Sequence, residues 1–517
     1  MKKQLLWTAT LALSLTACSD DAINADRDLN NEPVEPTFKT AKLTSVKSSQ
    51  GRVTVKADSR AAMPGSLTLH AEIDNLSKEE GRITGFEKEY KDGRYLSATS
   101  VYYDQSSETY YVTYHMQGNN YNTSLIDQTS GYVESFTIDA NGDPVVGKIY
   151  MSANPSEKDF DFNHLYFDNL VSPSIYVGDY TADSDTESRL IAVGHLSEPT
   201  STGKAQTKAI IARLNLEEET IDYAPVLTGE KLLDEDGKSL GNIDAGDANC
   251  VVRKYNHYYL ATRKGIAVLK AAKDELFAPE VDDNDNLYFI KSPGSTKYIS
   301  QPTTTSYIKF LYLTENTPEG FNYDTAIPAK IAEFAIDTRY NDRFLNLNSL
   351  EGFKLEDWSN QVGPINAISP VDGKNMFAAD SYYTASHYVC LGKNGLYVHN
   401  PMEGWNEHIV TFSDVEGGSR PVNGVFVEDY ESDNGYHVTD GFIYVANGAC
   451  LTILDGKTLE KVAEYSAFKE GDASANFIHV VKTKNYTNSA AAPDRIITVA
   501  YGQAGVKVFK FVPPTKR

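Results

Sequence analysis

Apolar and polar residues alternate over short stretches along most of the chain, and Gly, Asn and Asp separate these stretches. Val, Ile, Thr and 33 tyrosines are abundant in them, and such residues suit the pleated, half-buried surface of a strand. Apolar positions with helical spacing are almost absent. The pattern therefore predicts an all-β chain made of many short strands.

Four segments follow a common plan of strand, tight turn and strand. They begin at His257, His387, Ile443 and Ile497. In three of them a glycine stands just before the second strand, where a turn can require a positive φ. These glycines are Gly265, Gly395 and Gly505. We expect each segment to form a β-hairpin, and we expect the two equivalent histidines to have a structural role at a strand start.

An asparagine precedes an apolar run upstream of each hairpin. The members of this set are Asn163, Asn249, Asn366, Asn423 and Asn476. The last three recur after 57 and 53 residues, and a unit of roughly 50–60 residues suits a β-propeller blade. Two roles are open for these amides. They could bond backbone at the start of a blade, or they could line a channel mouth that holds a polar ligand.

Seven such units account for residues 94–512 and predict a β-propeller of seven blades. Their approximate spans are 94–155, 160–230, 246–300, 302–350, 364–415, 421–467 and 474–512. The last unit has three evident strands, so a strand from residues 38–93 could close the ring. Arg52–Ala57 and Ser66–Ile73 are the candidates, unless this N-terminal β segment forms a separate small domain. An array of β-sandwiches needs repeats nearer 90–100 residues and fits poorly.

The hairpin near residue 444 resembles a known repeat. Tyr444–Gly448 followed by Leu451–Asp455 is similar to the LVIVD repeat of bacterial surface propellers. Val499–Val508 has the same pattern without the terminal aspartate. The resemblance extends over about 245–512 and implies a β-propeller, and the family supplies no catalytic residues to carry over.

The first 18 residues have the form of a bacterial lipoprotein signal. Two lysines precede an apolar run from Leu5 to Leu15, and the sequence Leu-Thr-Ala-Cys ends at Cys18. The run of about 11 residues is shorter than the roughly 20 needed to span a bilayer. We therefore expect removal of residues 1–17 and attachment of acyl chains such as palmitate to Cys18, which would bind the protein to a membrane.

Ser19, Asp20 and Asp21 directly follow this cysteine. They resemble the acidic export signal of Bacteroidetes surface lipoproteins, which implies transfer to the outer face of the outer membrane. If they only open a linker, the periplasmic face is the alternative. Residues 18–37 are rich in Asp, Asn, Glu and Pro, and this composition predicts an unfolded, acidic tether.

Charge and cysteine content narrow the function classes. The processed chain would carry 46 basic against 71 acidic side chains, a net charge of −25. Nucleic acid is therefore excluded as a partner, because phosphate binding needs clustered Lys and Arg. Cys250, Cys390 and Cys450 lie in apolar runs, and their odd number and spacing predict buried free thiols and no zinc site.

Motifs that would assign a reaction are missing from the sequence. HExxH, GxSxG, the Walker loop, GxGxxG and the Asp-box are all absent. We therefore predict no catalytic residue, no metal site and no cofactor. Calcium in an acidic loop is conceivable but unsupported, since Leu287 replaces the turn glycine of an EF-hand loop that would begin at Asp282. The turn Asp234–Gly237 is expected to be solvated.

These observations favour a lipid-anchored surface propeller that acts as a non-enzymatic binding scaffold for a glycan, a protein or another envelope partner, with recognition by inter-blade loops. The alternative is an extracytoplasmic hydrolase or lyase with its active site at the propeller axis. A subunit of a larger envelope assembly is a third possibility. Carboxylates and histidines converging on the axis would favour the enzyme. Apolar side chains filling the axis, with Asn bonded to backbone, would favour the scaffold.

Overall fold

The computed structural model describes the strand-rich parts of the chain. The described residues are 37–47, 53–55, 63–75, 95–117, 131–138, 144–154, 157–168, 189–199, 205–254, 257–281, 287–291, 295–300, 307–313, 329–335, 387–390, 395–400, 405–413, 420–428, 430–431, 437–438, 441–466, 475, 477–483, 493–502 and 504–514. Most of them lie in β-strands, and a single 3-10 turn at Lys273–Glu275 is the helical element among them. The all-β prediction is confirmed.

Of the first eleven strands, eight build two neighbouring blades, β1 joins these blades, and β2 and β3 belong to the last blade. The strands are β1 (Lys39–Lys47), β2 (Val53–Val55), β3 (Leu67–Ile73), β4 (Tyr95–Asp104), β5 (Thr109–Gln117), β6 (Tyr132–Ile138), β7 (Pro144–Ser152), β8 (Asp159–Asp168), β9 (Arg189–Pro199), β10 (Ala205–Asn215) and β11 (Thr220–Pro225). Blade 1 is the antiparallel sheet β4-β5-β6-β7, and blade 2 is β8-β9-β10-β11. Strand β1 joins their outer edges, because its first half pairs with β11 and its second half with β7.

The middle of the chain forms a separate hairpin and two further blades. The strands are β12 (Leu227–Leu233), β13 (Ser239–Asp244), β14 (Ala248–Lys254), β15 (His257–Thr262), β16 (Gly265–Lys270), β17 (Phe289–Lys291), β18 (Ser295–Ser300), β19 (Tyr307–Leu313) and β20 (Ala329–Ala335). Blade 3 is β14-β15-β16-β17, and blade 4 is β18-β19-β20. Strand β18 therefore opens the fourth unit, whereas the sequence placed it at the end of the third.

The last strands form three blades and a short hairpin. They are β21 (His387–Cys390), β22 (Leu396–Asn400), β23 (Trp405–Val410), β24 (Val422–Val427), β25 (Tyr430–Glu431), β26 (His437–Val438), β27 (Phe442–Asn447), β28 (Cys450–Asp455), β29 (Lys461–Tyr465), β30 (Phe477–Lys482), β31 (Arg495–Ala500) and β32 (Val506–Phe511). Blade 5 is β21-β22-β23 and blade 6 is β24-β27-β28-β29. In blade 7, β3 pairs with β32, so the order is β30-β31-β32-β3-β2.

The innermost strands of the blades contact one another around an axis. Strand β4 contacts β8, β8 contacts β14, and β14 contacts β18. In the same way β21 contacts β24, β24 contacts β30, and β30 contacts β4. Between these two runs, Tyr298 of β18 packs against the apolar cluster that contains Tyr388 and Cys390 of blade 5. The amide of Ala98 donates to the carbonyl of Gly502 at 3.0 Å and joins blade 1 to blade 7. The fold is a β-propeller, and the number of seven blades stays a prediction.

Three glycines allow an outer strand to approach its hairpin closely. Gly265, Gly395 and Gly505 have φ values of +153°, +100° and +81°, which confirms the predicted positive φ. A Cβ at Gly505 would lie 2.1 Å from the carbonyl oxygen of Ile73 in β3. At the other two glycines a Cβ would meet a carbonyl of β17 or β23 in the same way. Strand β3 therefore takes the place in blade 7 that β17 and β23 take in theirs.

Apolar cores lie between successive blades. Buried side chains of blades 2 and 3 form one cluster, those of blades 3 and 4 another, and those of blades 6 and 7 a third. Three tyrosines at equivalent positions of the predicted hairpins are all at least 98% buried, namely Tyr258, Tyr388 and Tyr444. Cys250, Cys390 and Cys450 are free and buried, as predicted. Burial raises the pKa of the Cys250 thiol to about 12.

Candidate functional site

The innermost strands carry β-bulges near their beginnings. The strands that show one are β4, β8, β14, β18 and β24. The extra, unpaired residues are Thr99, Asn163, Asn249, Lys297 and Asn423. A bulge turns the side chain of the extra residue out of the regular alternation. We call the end of the ring where the innermost strands begin the upper face.

Three of the bulged residues join their blade to the next one along the chain. Thr99 Oγ1 donates to the carbonyl of Phe162 at 3.3 Å. Asn163 Nδ2 donates to the carbonyl of Ala248 at 3.0 Å, and Asn249 Nδ2 donates to that of Thr296 at 2.7 Å. In each case the acceptor belongs to the residue just before the bulged residue of the next blade. The same inter-blade latch thus repeats from blade 1 to blade 4.

The structure changes the interpretation of the repeated asparagines. The sequence placed them before the first strand of each blade, whereas Asn163, Asn249 and Asn423 lie inside that strand. The asparagine is counted within the strand because ladder pairing continues on both sides of the bulge. The amide donors of Asn163 and Asn249 are bonded to backbone of the following blade. Asn366 and Asn476 lie outside the described residues.

A cluster of histidines and carboxylates lies on the upper face beside these latches. Asp161 Oδ2 lies 3.0 Å from Nδ1 of His115 and 3.7 Å from Nε2 of His195. On its other side, His195 Nδ1 lies 3.4 Å from Oδ1 of Asp247, and Asn163 Nδ2 donates to the same oxygen at 2.8 Å. His115 belongs to blade 1, Asp161 and His195 to blade 2, and Asp247 to the loop before blade 3. The cluster therefore ties three blades together.

The two carboxylates hold His195 in its charged form. Burial opposes the charge, but the neighbouring carboxylates of Asp247, and then of Asp161 and Asp159, outweigh it and raise the pKa of His195 to about 9. Burial alone would raise the pKa of Asp247, and the charge of His195 instead holds it below the usual range. At neutral pH, His195 is therefore a fixed imidazolium between two carboxylates.

Aromatic and imidazole rings from the innermost strands pack against one another below this cluster, and we call these five rings the axial plug. The ring of Tyr102 lies 4.4 Å from that of His479 and 6.4 Å from that of His164, measured between centroids. Phe477 contacts both Tyr102 and His164, and Phe426 contacts His479. All five side chains are buried and come from the innermost strands of blades 1, 2, 6 and 7.

The two histidines of this axial plug are neutral. Burial lowers the pKa of His164 to about 3 and that of His479 to about 3, because removing an imidazole from water disfavours its charged form. Backbone of blade 3 also contacts the plug, since the amide of Val251 donates to Nδ1 of His164 at 3.4 Å. The rings act as packing groups between the innermost strands.

Buried ion pairs connect the blades at the opposite ends of the innermost strands. Arg253 Nη1 donates to both carboxylate oxygens of Asp168, each at 2.9 Å, between blades 3 and 2. Between blades 7 and 6, Arg495 pairs with Glu428, which also accepts from Tyr444 at 2.8 Å. These pairs hold neighbouring blades together at the end of the ring opposite the upper face.

Several predicted residues lie where the structure makes no statement. Cys18, Ser19, Asp20 and Asp21 fall outside the described residues. Within the described part of the chain, no group of three or more His, Cys, Asp or Glu side chains is arranged to hold a metal ion. In the same residues no helix is long and apolar enough to cross a membrane.

His257 has the structural partner expected for a histidine at a strand start. Its Nε2 lies 2.9 Å from Oε2 of Glu280, and both side chains are buried. In contrast, the sequence did not reveal the cluster around His195. His115, Asp161 and His195 lie in three different strands and Asp247 lies in a loop, so no local motif joins them.

Comparison with known proteins gives weak likenesses. No family profile and no curated protein matches the chain. Sqt1 of Saccharomyces cerevisiae superposes with a TM-score of 0.40 at 8% identity, over 82% of this chain and 97% of that one. Hsv2 of Kluyvelomyces marxianus gives 0.32 at 8% identity over 79% and 90%. The β-propeller domain of Cps50 (Swd1) from Myceliophteria thermophila gives 0.30 at 9% identity over 80% and 96%. Such likenesses concern the fold, and function must be argued from the residues of this chain.

Proposed function

We propose that this chain is a lipid-anchored propeller of the bacterial cell envelope that binds a glycan, a protein or another envelope partner and catalyses no reaction. The observation that carries the proposal is the packing of buried rings between the innermost strands of four blades. Tyr102, His164 and His479 meet there from different blades, where an axial active site would need an open cavity. Recognition is then left to the loops of the upper face.

The charge state of the upper-face histidine supports the same proposal. A general base works best when its pKa is near the operating pH. With its pKa raised to about 9 by the neighbouring carboxylates, His195 is already protonated at neutral pH. It stabilises the contact of blades 1, 2 and 3 and does not accept a proton there. A fixed charge of this kind suits a rigid scaffold.

The anchoring part of the proposal rests on the N-terminal sequence. Cys18 would carry the acyl chains, and two or three chains hold a protein firmly in a bilayer whereas one binds marginally. Ser19, Asp20 and Asp21 support placement on the outer face of the outer membrane. The LVIVD-like repeats of blades 6 and 7 agree with a surface propeller.

Lipidation is tested by metabolic labelling with a palmitate analogue in a bacterial host. The full chain should take up the label and sediment with membranes, and Cys18→Ser should abolish both. Cys450→Ser is the matched control, because it removes a buried thiol of the folded ring and should leave labelling unchanged. Equal labelling of Cys18→Ser and the unmodified chain would refute the anchor.

Binding is tested with the full-length lipidated chain extracted in mild detergent. It should retain members of a glycan array or envelope proteins from the same host. The retention should survive substitution at the axial plug by a ring of similar size, such as His479→Phe. Failure to retain any glycan or envelope protein would contradict the scaffold proposal.

A hydrolase or lyase remains the second candidate because carboxylates and histidines converge on the upper face. Asp161 and Asp247 flank His195 in an arrangement that could exchange protons with a substrate. This alternative predicts that a retained glycan is cleaved and that Asp161→Asn stops the cleavage without stopping retention. The scaffold proposal predicts that the retained glycan stays intact with both proteins.

A further inference from the structure

The hairpin of β12 and β13 stands outside the blade sheets. It connects the outermost strand of blade 2 to the innermost strand of blade 3 and forms a two-stranded sheet of its own. Its base is fixed, since Asp244 Oδ1 accepts from the amides of Ala209 at 3.0 Å and Gly246 at 2.8 Å. The carbonyl of Val226 also accepts from the amide of Ala245 at 2.9 Å.

The outer half of this hairpin exposes apolar side chains. Leu232 and Leu233 are 53% and 55% exposed. The pairing of β12 with β13 shifts its register between these two leucines, so the regular ladder is interrupted where they are exposed. An isolated two-stranded hairpin is marginally stable in water. Two neighbouring exposed leucines on such a hairpin therefore suit a surface that another protein covers.

The tip of the hairpin is acidic. Asp234 shapes the turn, because its Oδ1 accepts from the amide of Lys238 at 2.7 Å, and Gly237 has a φ of +78°. Glu235 and Asp236 are exposed beside it. Their charges favour a basic partner surface and disfavour anionic lipid headgroups.

The start of the described chain lies at the base of the same hairpin. Lys39 pairs with Tyr223 near the end of β11, and the hairpin begins two residues after that strand, at Leu227. Thr37 is held there by a bond to the carbonyl of Leu276 at 2.5 Å. The tether and the hairpin thus leave the ring at one place.

The length of the hairpin is comparable to the reach of the predicted tether. A seven-residue strand extends about 20 Å at roughly 3.4 Å per residue. An unfolded tether of the kind predicted from the composition of residues 18–37 would have a typical reach of about 25 Å. A lipid anchor on Cys18 would therefore keep the hairpin tip within reach of the membrane surface.

We propose that the β12–β13 hairpin is a docking arm for a protein embedded in the membrane that holds the anchor. The partner would have an apolar pocket for Leu232 and Leu233, bordered by Lys or Arg side chains that face Glu235 and Asp236. The proposal that the hairpin binds a protein rests on its exposed leucines and its acidic tip. The placement of that protein in the membrane rests on the proposed lipidation of Cys18.

In-cell photo-crosslinking of the full chain tests the arm. A photoreactive residue replaces Leu232 in one variant and Ile409 in the other, an apolar side chain of blade 5 that is 41% exposed. The Leu232 variant should give an adduct with one membrane protein, at a site flanked by Lys or Arg, and the Ile409 variant should not. No protein adduct, an adduct with lipid alone, or equal adducts at both positions would overturn the proposal.

Charge reversal provides a second readout. Replacing Glu235 and Asp236 by lysine should lower the adduct yield about tenfold. Lysine at Glu217 and Glu218, an exposed acidic pair in the turn before β11, is the matched control and should leave the yield unchanged. An equal adduct yield from the two double-lysine variants would overturn the proposed border of Lys or Arg side chains on the partner. Palmitate on Cys18 is measured in the same cells, so failure of the anchor is distinguished from failure of the arm.

Discussion

The carbonyl oxygen of Ile73 lies directly over Gly505, at 2.1 Å from the position that a Cβ of residue 505 would occupy. The two residues are far apart in sequence and meet because β3 completes the sheet of blade 7. The N-terminal strand thereby holds the last blade, and closure of the ring depends on a residue without a side chain.

Substitution of this glycine should destabilise the ring. Gly505→Ala combines a positive φ with a clash against backbone, and we expect a loss of about 3–5 kcal/mol in the free energy of unfolding. Gly237→Ala is the matched control, because φ is +78° and no atom lies within 4 Å of its Cβ position. That change should cost about 1–2 kcal/mol. Urea unfolding followed by tryptophan fluorescence measures both, and equal costs would argue against the close approach.

Loss of an inter-blade latch should also be measurable. Asn249→Ala leaves the carbonyl of Thr296, a fully buried residue, without its amide donor. We expect a cost of about 1–3 kcal/mol. Asn242→Ala in the β12–β13 hairpin, also half-buried, should change stability by less than about 0.5 kcal/mol. If the two variants unfold at the same urea concentration, the latch contributes nothing.

Stability should fall on the alkaline side because of His195. Its pKa is raised from 6.5 to about 9 in the folded chain by the carboxylates that outweigh burial. The contribution of the His195 charge to the free energy of unfolding is therefore complete below pH 6.5 and is lost as the pH rises towards 9. This contribution amounts to about 3 kcal/mol. His195→Gln should flatten this limb of the profile. A profile with the same slope in both proteins would contradict the assignment.

The loss of folding stability at acid pH should depend on the two histidines of the axial plug. Burial lowers the pKa of His164 and His479 from 6.5 to about 3. Their contribution is present above pH 6.5 and is lost as the pH falls towards 3, since the unfolded chain then binds more protons. His479→Phe should make unfolding less sensitive to acid between these values. Thermal unfolding at a series of pH values gives the comparison.

Two of the three ring cysteines should be protected from thiol reagents. Cys250 and Cys390 have no exposed surface, and only a thiolate reacts readily. In the native protein we expect maleimide to leave both unlabelled for hours, whereas in denaturant both should react within minutes. Mass spectrometry distinguishes the sites. Rapid native labelling of either would show that the inter-blade cores open.

Local chain chemistry explains what the sequence could reveal. A hairpin turn can require a positive φ at one residue, and glycine adopts it readily. The sequence therefore revealed Gly265, Gly395 and Gly505. Asn249 was visible as a periodic residue, but its acceptor in Thr296 lies 47 residues further on and belongs to another sheet. The role of the amide therefore followed from the ring and not from the repeat.

Other features depended on how the sheets meet. Lys297 occupies the bulge position of blade 4 where an asparagine marks other blades, so the start of that unit was placed too late. Strand β1 pairs with two sheets at once, which no alternation of residues indicates. The contact of Asp161 with His195 and the approach of Asp247 likewise depend on cross-strand and inter-blade geometry.

We propose that the ring binds a glycan or a protein and does not cleave it. The most direct measurement is the mass of a glycan or protein ligand recovered from the full-length lipidated chain after prolonged incubation at neutral pH. We predict that the ligand is retained and recovered with its mass unchanged, and that Asp161→Asn alters neither its mass nor its covalent structure. A ligand that is released in cleaved form by the unmodified chain, but recovered intact from Asp161→Asn, would contradict the account and identify an enzyme.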